Sequence, residues 1–211
     1  MIISILDYGS GNIKSVSKAV ELAASNINQS ISIKVINDPK KIQTSDKLVL
    51  PGQGSFKQCA YHLDNMSGAV EELQEFVLEK KKKIFGICVG MQLFSDYGEE
   101  DGGSKGFGWI KGQVKKIDIK NLNLKLPHMG WNEISINREI SLFKNLTQDK
   151  HFYFVHSYHL ITEGEKNVVA STFYEDKMTA AVLKDNIFGT QFHPEKSQKN
   201  GIRILENFIN W

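Results

Sequence analysis

The chain has 211 residues, with 26 Lys plus Arg against 24 Asp plus Glu and a formal net charge of +2; that near-balance excludes a strongly basic nucleic-acid binder and an acidic solvating tail. A hydrophobic fraction of 41%, with 17 Gly and 4 Pro, excludes collagen-like and disordered compositions, and at this length about 70% of the unfolded surface is buried on folding without staples. Two cysteines with no paired Cys or Cys/His spacing exclude a disulfide framework and a structural zinc.

The opening Met1-Ile2-Ile3-Ser4-Ile5-Leu6-Asp7 lacks the charged flank and cleavage site of a signal peptide, and no apolar run approaches about 18 residues. A reducing, cytoplasmic setting is expected, without a membrane or nucleic acid as partner. Ile2 to Leu6 reads as a buried strand closed by Asp7-Tyr8-Gly9-Ser10-Gly11-Asn12, after which Ile13, Val16, Val20 and Ala23 recur at helical spacing. The third glycine of a dinucleotide-binding G-x-G-x-x-G is replaced by Lys14, so Asn12 reads as a helix cap rather than part of a cofactor loop.

Ile31, Ile33 and Val35 alternate as a second strand, and Leu48-Val49-Leu50 form a third that stops at Pro51-Gly52-Gln53-Gly54. Cys59, three positions after Phe56, suits core packing in a helix. Val70, Leu73, Phe76 and Val77 mark another helix face, closed by Lys80 to Lys83, which read as a solvated helix end rather than a phosphate patch. Ile84 to Cys88 is a further apolar run, feeding a helical pattern through Val89, Leu93 and Phe94. Strands then follow at short spacing over 114–117, 131–136, 151–155, 168–171, 180–183 and 187–192, and a last helix turns Ile202, Leu205, Phe208 and Ile209 inward. Strands alternating with helices give an α/β fold: an open, mixed, mainly parallel sheet covered on both faces, with a smaller antiparallel region, in one domain spanning 1–211.

Gly86-Ile87-Cys88-Val89-Gly90 sits where a strand turns into a helix, the setting of a nucleophile elbow, with glycines two residues either side of the cysteine. There the Cys88 thiol would be activated at a helix N-terminus and the Val89 N–H would face a developing oxyanion. A buried structural cysteine is the alternative. In His193-Pro194-Glu195, residues two apart in extended chain point the same way, so Glu195 can order the His193 ring toward a thiol, a Cys-His-Glu relay. The same H-x-E opens a zinc-deaminase signature, but no later P-C-x-x-C exists. The Gly-rich turn at Gln53 either supplies a second oxyanion donor or is a plain turn.

Together, Pro51-Gly52-Gln53-Gly54, the G-I-C-V-G-M-Q run from Gly86 to Gln92, and Gln191-Phe192-His193-Pro194-Glu195 resemble, in order and spacing, the class I (triad) glutamine amidotransferases. Within that class Pro127-His128-Met129-Gly130-Trp131-Asn132, the run Phe152 to Tyr158, and Lys196-Ser197 resemble the glutaminase subunits of imidazole glycerol phosphate synthases, and the opening Asp7 to Asn12 agrees. The resemblance implies hydrolysis of L-glutamine through a thioester on Cys88, with His193 and Glu195 completing the triad and the N–H groups of Gln53 and Val89 as oxyanion donors. Gly52, Gln92, Glu100, His156, Ser157 and Tyr158 are implied to hold the substrate.

It further implies a (β/α)8-barrel cyclase as partner, receiving ammonia at a face that includes Asn12, Trp131, Tyr153 and Lys196; such a barrel takes about 250 residues and cannot lie in this chain. No metal or organic cofactor is implied. Gln53 departs from the family, which more often has a small aliphatic residue there, and Phe94-Ser95 departs from a Leu-rich continuation. Two other readings stay open at this point: a glutaminase that feeds a surface-sugar-amidating partner, and a scaffold subunit without turnover.

Overall fold

A computed structural model describes residues 1–27, 30–120 and 124–211. In chain order its elements are β1 (Ile2–Leu6), α1 (Ile13–Ser25), β2 (Ser32–Ile36), β3 (Lys47–Gly52), α2 (Phe56–Asn65) and α3 (Ala69–Gln74), the last prolonged by one π turn, Glu75–Glu79. Then come β4 (Lys83–Cys88), α4 (Val89–Gln92), β5 (Tyr97–Gly98), β6 (Ser104–Lys105), β7 (Gly112–Lys116) and β8 (His128–Ile136). The chain ends with β9 (His151–His156), β10 (Tyr158–Thr162), β11 (Val168–Tyr174), β12 (Asp176–Lys184), β13 (Ile187–Thr190) and α5 (Gln198–Asn210).

The strands form a nine-stranded sheet in the order β2-β1-β3-β4-β13-β12-β11-β8-β9 and a four-stranded sheet in the order β10-β7-β5-β6. Pairings from β2 to β13 are parallel and those from β13 to β9 antiparallel. The parallel strands β1, β3 and β4 are runs of buried apolar residues, as a sheet covered on both faces demands. β2 lies at the edge, so only Ile36 is buried there and Val35 is exposed. Asn12 caps α1 through the Ser15 N–H at 3.2 Å, and α1 turns Val16, Ala19, Val20 and Ala23 into the core. On that side α1 packs against α5, while α2 packs on α3 and α4.

Several expectations change in detail. The helical pattern after Cys88 lasts only four residues, because the chain turns away at Leu93, packs Phe94 against Trp109 with tilted rings and enters the smaller sheet. β13 stops at Thr190, and Ile202 is half-buried where Ile204 is fully buried. The lysine run is partly tied down: Lys82 Nζ donates to the carbonyls of Gln43 and Ser45, and Lys80 pairs with Glu75 at 2.7 Å.

Strand register, rather than proximity in sequence, assembles the functional end of the sheet. Gly52 of β3 lies opposite Cys88 of β4, and Thr190 of β13 lies opposite Ile87. The Pro51–Gly54 turn, the cysteine and the Gln191–Glu195 segment therefore emerge side by side at the carboxyl ends of three adjacent parallel strands, where α/β sheets open a crevice.

Candidate active site

Cys88 adopts φ 55° and ψ −112°, a strained conformation for a residue with a side chain. Close packing of the turn explains both flanking glycines. A Cβ on Gly90 would be driven into the Leu50 carbonyl oxygen, and one on Gly86 would come within 2.7 Å of the Gly90 oxygen and the Met91 nitrogen. Gly52 is also packed backbone to backbone against Val89 and Gly90, so it locks the turn rather than forming the cavity wall. α4, at one turn, is too short to carry the dipole expected behind the thiol. The local charge comes instead from His193.

His193 Nδ1 and Glu195 Oε1 are 2.8 Å apart, with both side chains almost wholly inaccessible to water. The geometry differs from an extended chain: residues 194–196 form a 3-10 turn that brings the carboxylate back to the Nδ1 edge of the ring. The other ring nitrogen, Nε2, is buried with no hydrogen-bond partner among the described residues, which leaves it available to Cys88. Burial pushes the imidazole pKa down, but the Cys88 sulfur and then the Glu195 carboxylate outweigh it, so the ring is held well above its ordinary value. Beside the sulfur, the ring keeps its proton.

Cys88 and His193 open onto a cavity of about 180 Å³ whose wall also includes Gln53, Val89, Gln92, Glu100, His156, Ser157 and Tyr158. Such a space suits a small ligand. The Glu100 carboxylate accepts the Phe56 N–H through Oε2 at 2.8 Å at the start of α2. Burial raises its pKa, with the Phe56 N–H opposing. The Gln53 carbonyl accepts from the buried Cys59 thiol at 3.5 Å, so Cys59 packs in α2 and also steadies the glycine-rich turn. Among the described residues, no group of three or more His, Cys, Asp or Glu is placed to hold a metal ion, and no helix is long and apolar enough to cross a membrane.

Trp131, about half exposed, meets the Tyr153 ring edge-on at 6.3 Å, and Lys196 Nζ lies 5.5 Å from that ring's centroid. This cluster adjoins the triad directly, because the Tyr153 carbonyl accepts the His193 N–H at 2.9 Å. Asn12 sits at the start of α1, which packs against the 194–196 turn.

Gln191 escaped the sequence analysis as a site residue. Its Nε2 donates to Cys88 Sγ at 3.6 Å and its Oε1 accepts from Gln92 at 3.0 Å. The available signal was a fully buried amide in an otherwise apolar run, since such a group must find partners.

Comparison with known proteins gives the family. Residues 4–211 match the family model "Glutamine amidotransferase class-I". Over the full chain, the protein is 49% identical to the imidazole glycerol phosphate synthase subunit HisH of Pelagibacter ubique, covering 100% of both chains. It is 45% identical to the HisH subunit of Bradyrhizobium diazoefficiens, covering 100% of this chain and 99% of that one. Among solved structures, a glutamine amidotransferase superposes with a TM-score of 0.73 at 16% identity, covering 100% of this chain and 98% of the other. A glutamine amidotransferase from Thermotoga maritima reaches 0.64 at 14% identity, covering 100% and 83%; at such identities these two show the fold alone. The match to the family model and the full-length relatives place the chain in the class I glutamine amidotransferase family, an enzyme of the HisH branch.

Proposed function

We propose that the chain is the glutaminase subunit of an imidazole glycerol phosphate synthase, passing ammonia from glutamine to a (β/α)8-barrel cyclase in histidine biosynthesis. The reading is carried by one observation: a nucleophile on a strained elbow shares a small cavity with an imidazole held by a buried carboxylate.

In the reaction, His193 Nε2 holds the proton of the Cys88 thiol while the sulfur attacks the side-chain amide carbon of glutamine. The carbonyl oxygen becomes an oxyanion, for which the N–H groups of Val89 and Gln53 are the donors. His193 then protonates the amide nitrogen, the C–N bond breaks and ammonia leaves. Water, losing a proton to the same ring nitrogen, hydrolyses the thioester to glutamate and restores the thiol. Glu195 keeps the imidazolium oriented throughout. Glu100 faces the substrate's ammonium group, and Gln92 with the backbone at Ser157 and Tyr158 holds its amino-acid end. In water, ammonia is protonated at neutral pH and loses its nucleophilicity, so direct delivery to a docked partner has a chemical purpose. The face formed by Trp131, Tyr153, Lys196 and Asn12 is assigned to that partner.

The test is a coupled assay of glutamine-dependent imidazole glycerol phosphate formation with a matching cyclase and its ribotide ligand. Product formation, and its loss in Cys88→Ala, supports the reading. Glutamate release without product would reassign the partner, and full activity of Cys88→Ala would remove the mechanism.

A further inference from the structure

Beyond the triad, β8 and β9 bury two histidines that take no part in the proton transfers of the hydrolysis. His128 Nδ1 lies 3.0 Å from His156 Nε2, and His156 Nδ1 lies 2.9 Å from the Tyr158 carbonyl oxygen. At the other end, Asn132 Nδ2 lies 3.1 Å from His128 Nε2 and donates to the Phe173 carbonyl at 2.9 Å. Asn132 Oδ1 accepts the Glu133 N–H at 2.8 Å, which fixes the orientation of the amide.

These contacts leave one arrangement of protons. A carbonyl oxygen only accepts, so His156 Nδ1 carries hydrogen and, in the neutral ring, Nε2 is a lone pair. His128 Nδ1 must then donate to it, which makes His128 Nε2 the acceptor for the Asn132 amide. Burial supports the neutral forms: it pushes the His128 pKa down to about 4, and burial together with the neighbouring His128 pushes His156 down to about 3. Beyond Tyr158 the chain of contacts continues. The same carbonyl accepts Gln92 Nε2 at 2.9 Å, Gln92 Nε2 also donates to Gln191, and Gln191 donates to Cys88 Sγ.

We propose that Asn132, His128 and His156 form a one-way hydrogen-bond relay that pins the Tyr158 carbonyl and, through the Gln92 and Gln191 amides, orients the Cys88 sulfur and the glutamine beside it. Asn132 and His128 are then positioning residues, since neither lines the cavity. The inference rests on the glutaminase reading for its kinetic consequences and on geometry for the relay itself. Releasing one member frees the Tyr158 carbonyl and lets the Gln92 amide turn over, which alters both the substrate site and the donor to sulfur.

Two measurements test it on the full chain. In 15N-histidine NMR at pH 7.5, His128 and His156 are expected to be neutral and protonated on Nδ1, the minor tautomer of free histidine. An Nε2–H or cationic form of either ring overturns the relay. His128→Phe keeps the ring that stacks between Phe154 and Tyr174, at 4.8 and 4.1 Å, but removes the donor and the acceptor. With glutamate release as readout, alone and with the cyclase, a rise of about 10-fold in KM for glutamine and a fall in kcat are expected, the scale of one lost buried hydrogen bond. Unchanged KM and kcat in a folded variant overturn the proposal. Where the variant does not fold, the NMR result on the unmodified chain decides. Failure of the unmodified complex to release glutamate would strike the glutaminase reading alone, leaving the tautomers as the test of the relay.

Discussion

Replacing Glu195 by Gln isolates the charge that orders the catalytic imidazole, because the side chain is conserved in size and lies behind His193, away from the cavity wall. At 2.8 Å, Coulomb's law with an effective dielectric constant of about 20 gives about 6 kcal/mol between imidazolium and carboxylate, the upper limit of the loss. The lower limit is the difference between a charge-assisted and a neutral hydrogen bond, about 1.5 kcal/mol, since the amide oxygen can still accept from Nδ1. In rate, the interval runs from about 10-fold to about 10⁴-fold in kcat/KM. The loss is expected in kcat with KM for glutamine unchanged, measured as glutamate release from the complex. Without the carboxylate the His193 pKa falls, so the imidazolium is lost at lower pH and the alkaline limb of the kcat/KM profile moves down. A change of less than about threefold, or one confined to KM, would refute the assignment of Glu195 as the group that stabilises the charged ring.

Acid should destabilise the fold through the paired histidines. Unfolded rings bind protons near pH 6.5, whereas His128 and His156 hold out to about 4 and about 3, so the unfolded state binds more protons and stability falls as pH drops from about 6.5 towards 4. Two protons set a slope of at most about 2.7 kcal/mol per pH unit, less where water reaches His128, and urea midpoints between pH 6.5 and 5 that show under one proton's worth would contradict the buried neutral pair. Gly90→Ala, whose Cβ has no room beside the Leu50 carbonyl, is expected to cost more than about 3 kcal/mol, and an unaltered thermal midpoint would show that the elbow yields more readily than its packing implies. Lys47→Met leaves the carbonyls of Phe208, Ile209 and Trp211 without the ammonium that caps the end of α5, and a loss of about 2 kcal/mol in urea titration is expected; no loss would mean that water replaces the cap at no cost.

How far the sequence alone reveals the site depends on whether the information is local. The Cys88 elbow was legible because its glycines answer a steric demand within five residues, and Asn12 because a cap acts on the next turn of helix. Apart from Tyr158–Thr162, the strands from Val114 to Thr190 were legible by their apolar runs, but Tyr97–Gly98 and Ser104–Lys105 were not, since two-residue strands have no period to read. Tyr158–Thr162 was missed because Ser157 alone separates it from β9.

What no local pattern carries is register. The pairing of Gly52 with Cys88, and of Thr190 with Ile87, decides that Gln191 reaches the sulfur, and it follows from the packing of the whole sheet. The His128–His156 contact likewise arises because β8 and β9 pair those two residues directly across the ladder. Paired on an exposed face, two histidines would titrate freely and hold nothing in place. Buried opposite each other, with Asn132 at one end and a peptide carbonyl at the other, each ring has only one tautomer that satisfies its neighbours. The same physical rule, that a buried polar atom must find its partner, therefore joins the outer strands of the sheet to the nucleophile, and it predicts that polar substitutions along β8 disturb glutamine hydrolysis more than their distance from Cys88 suggests.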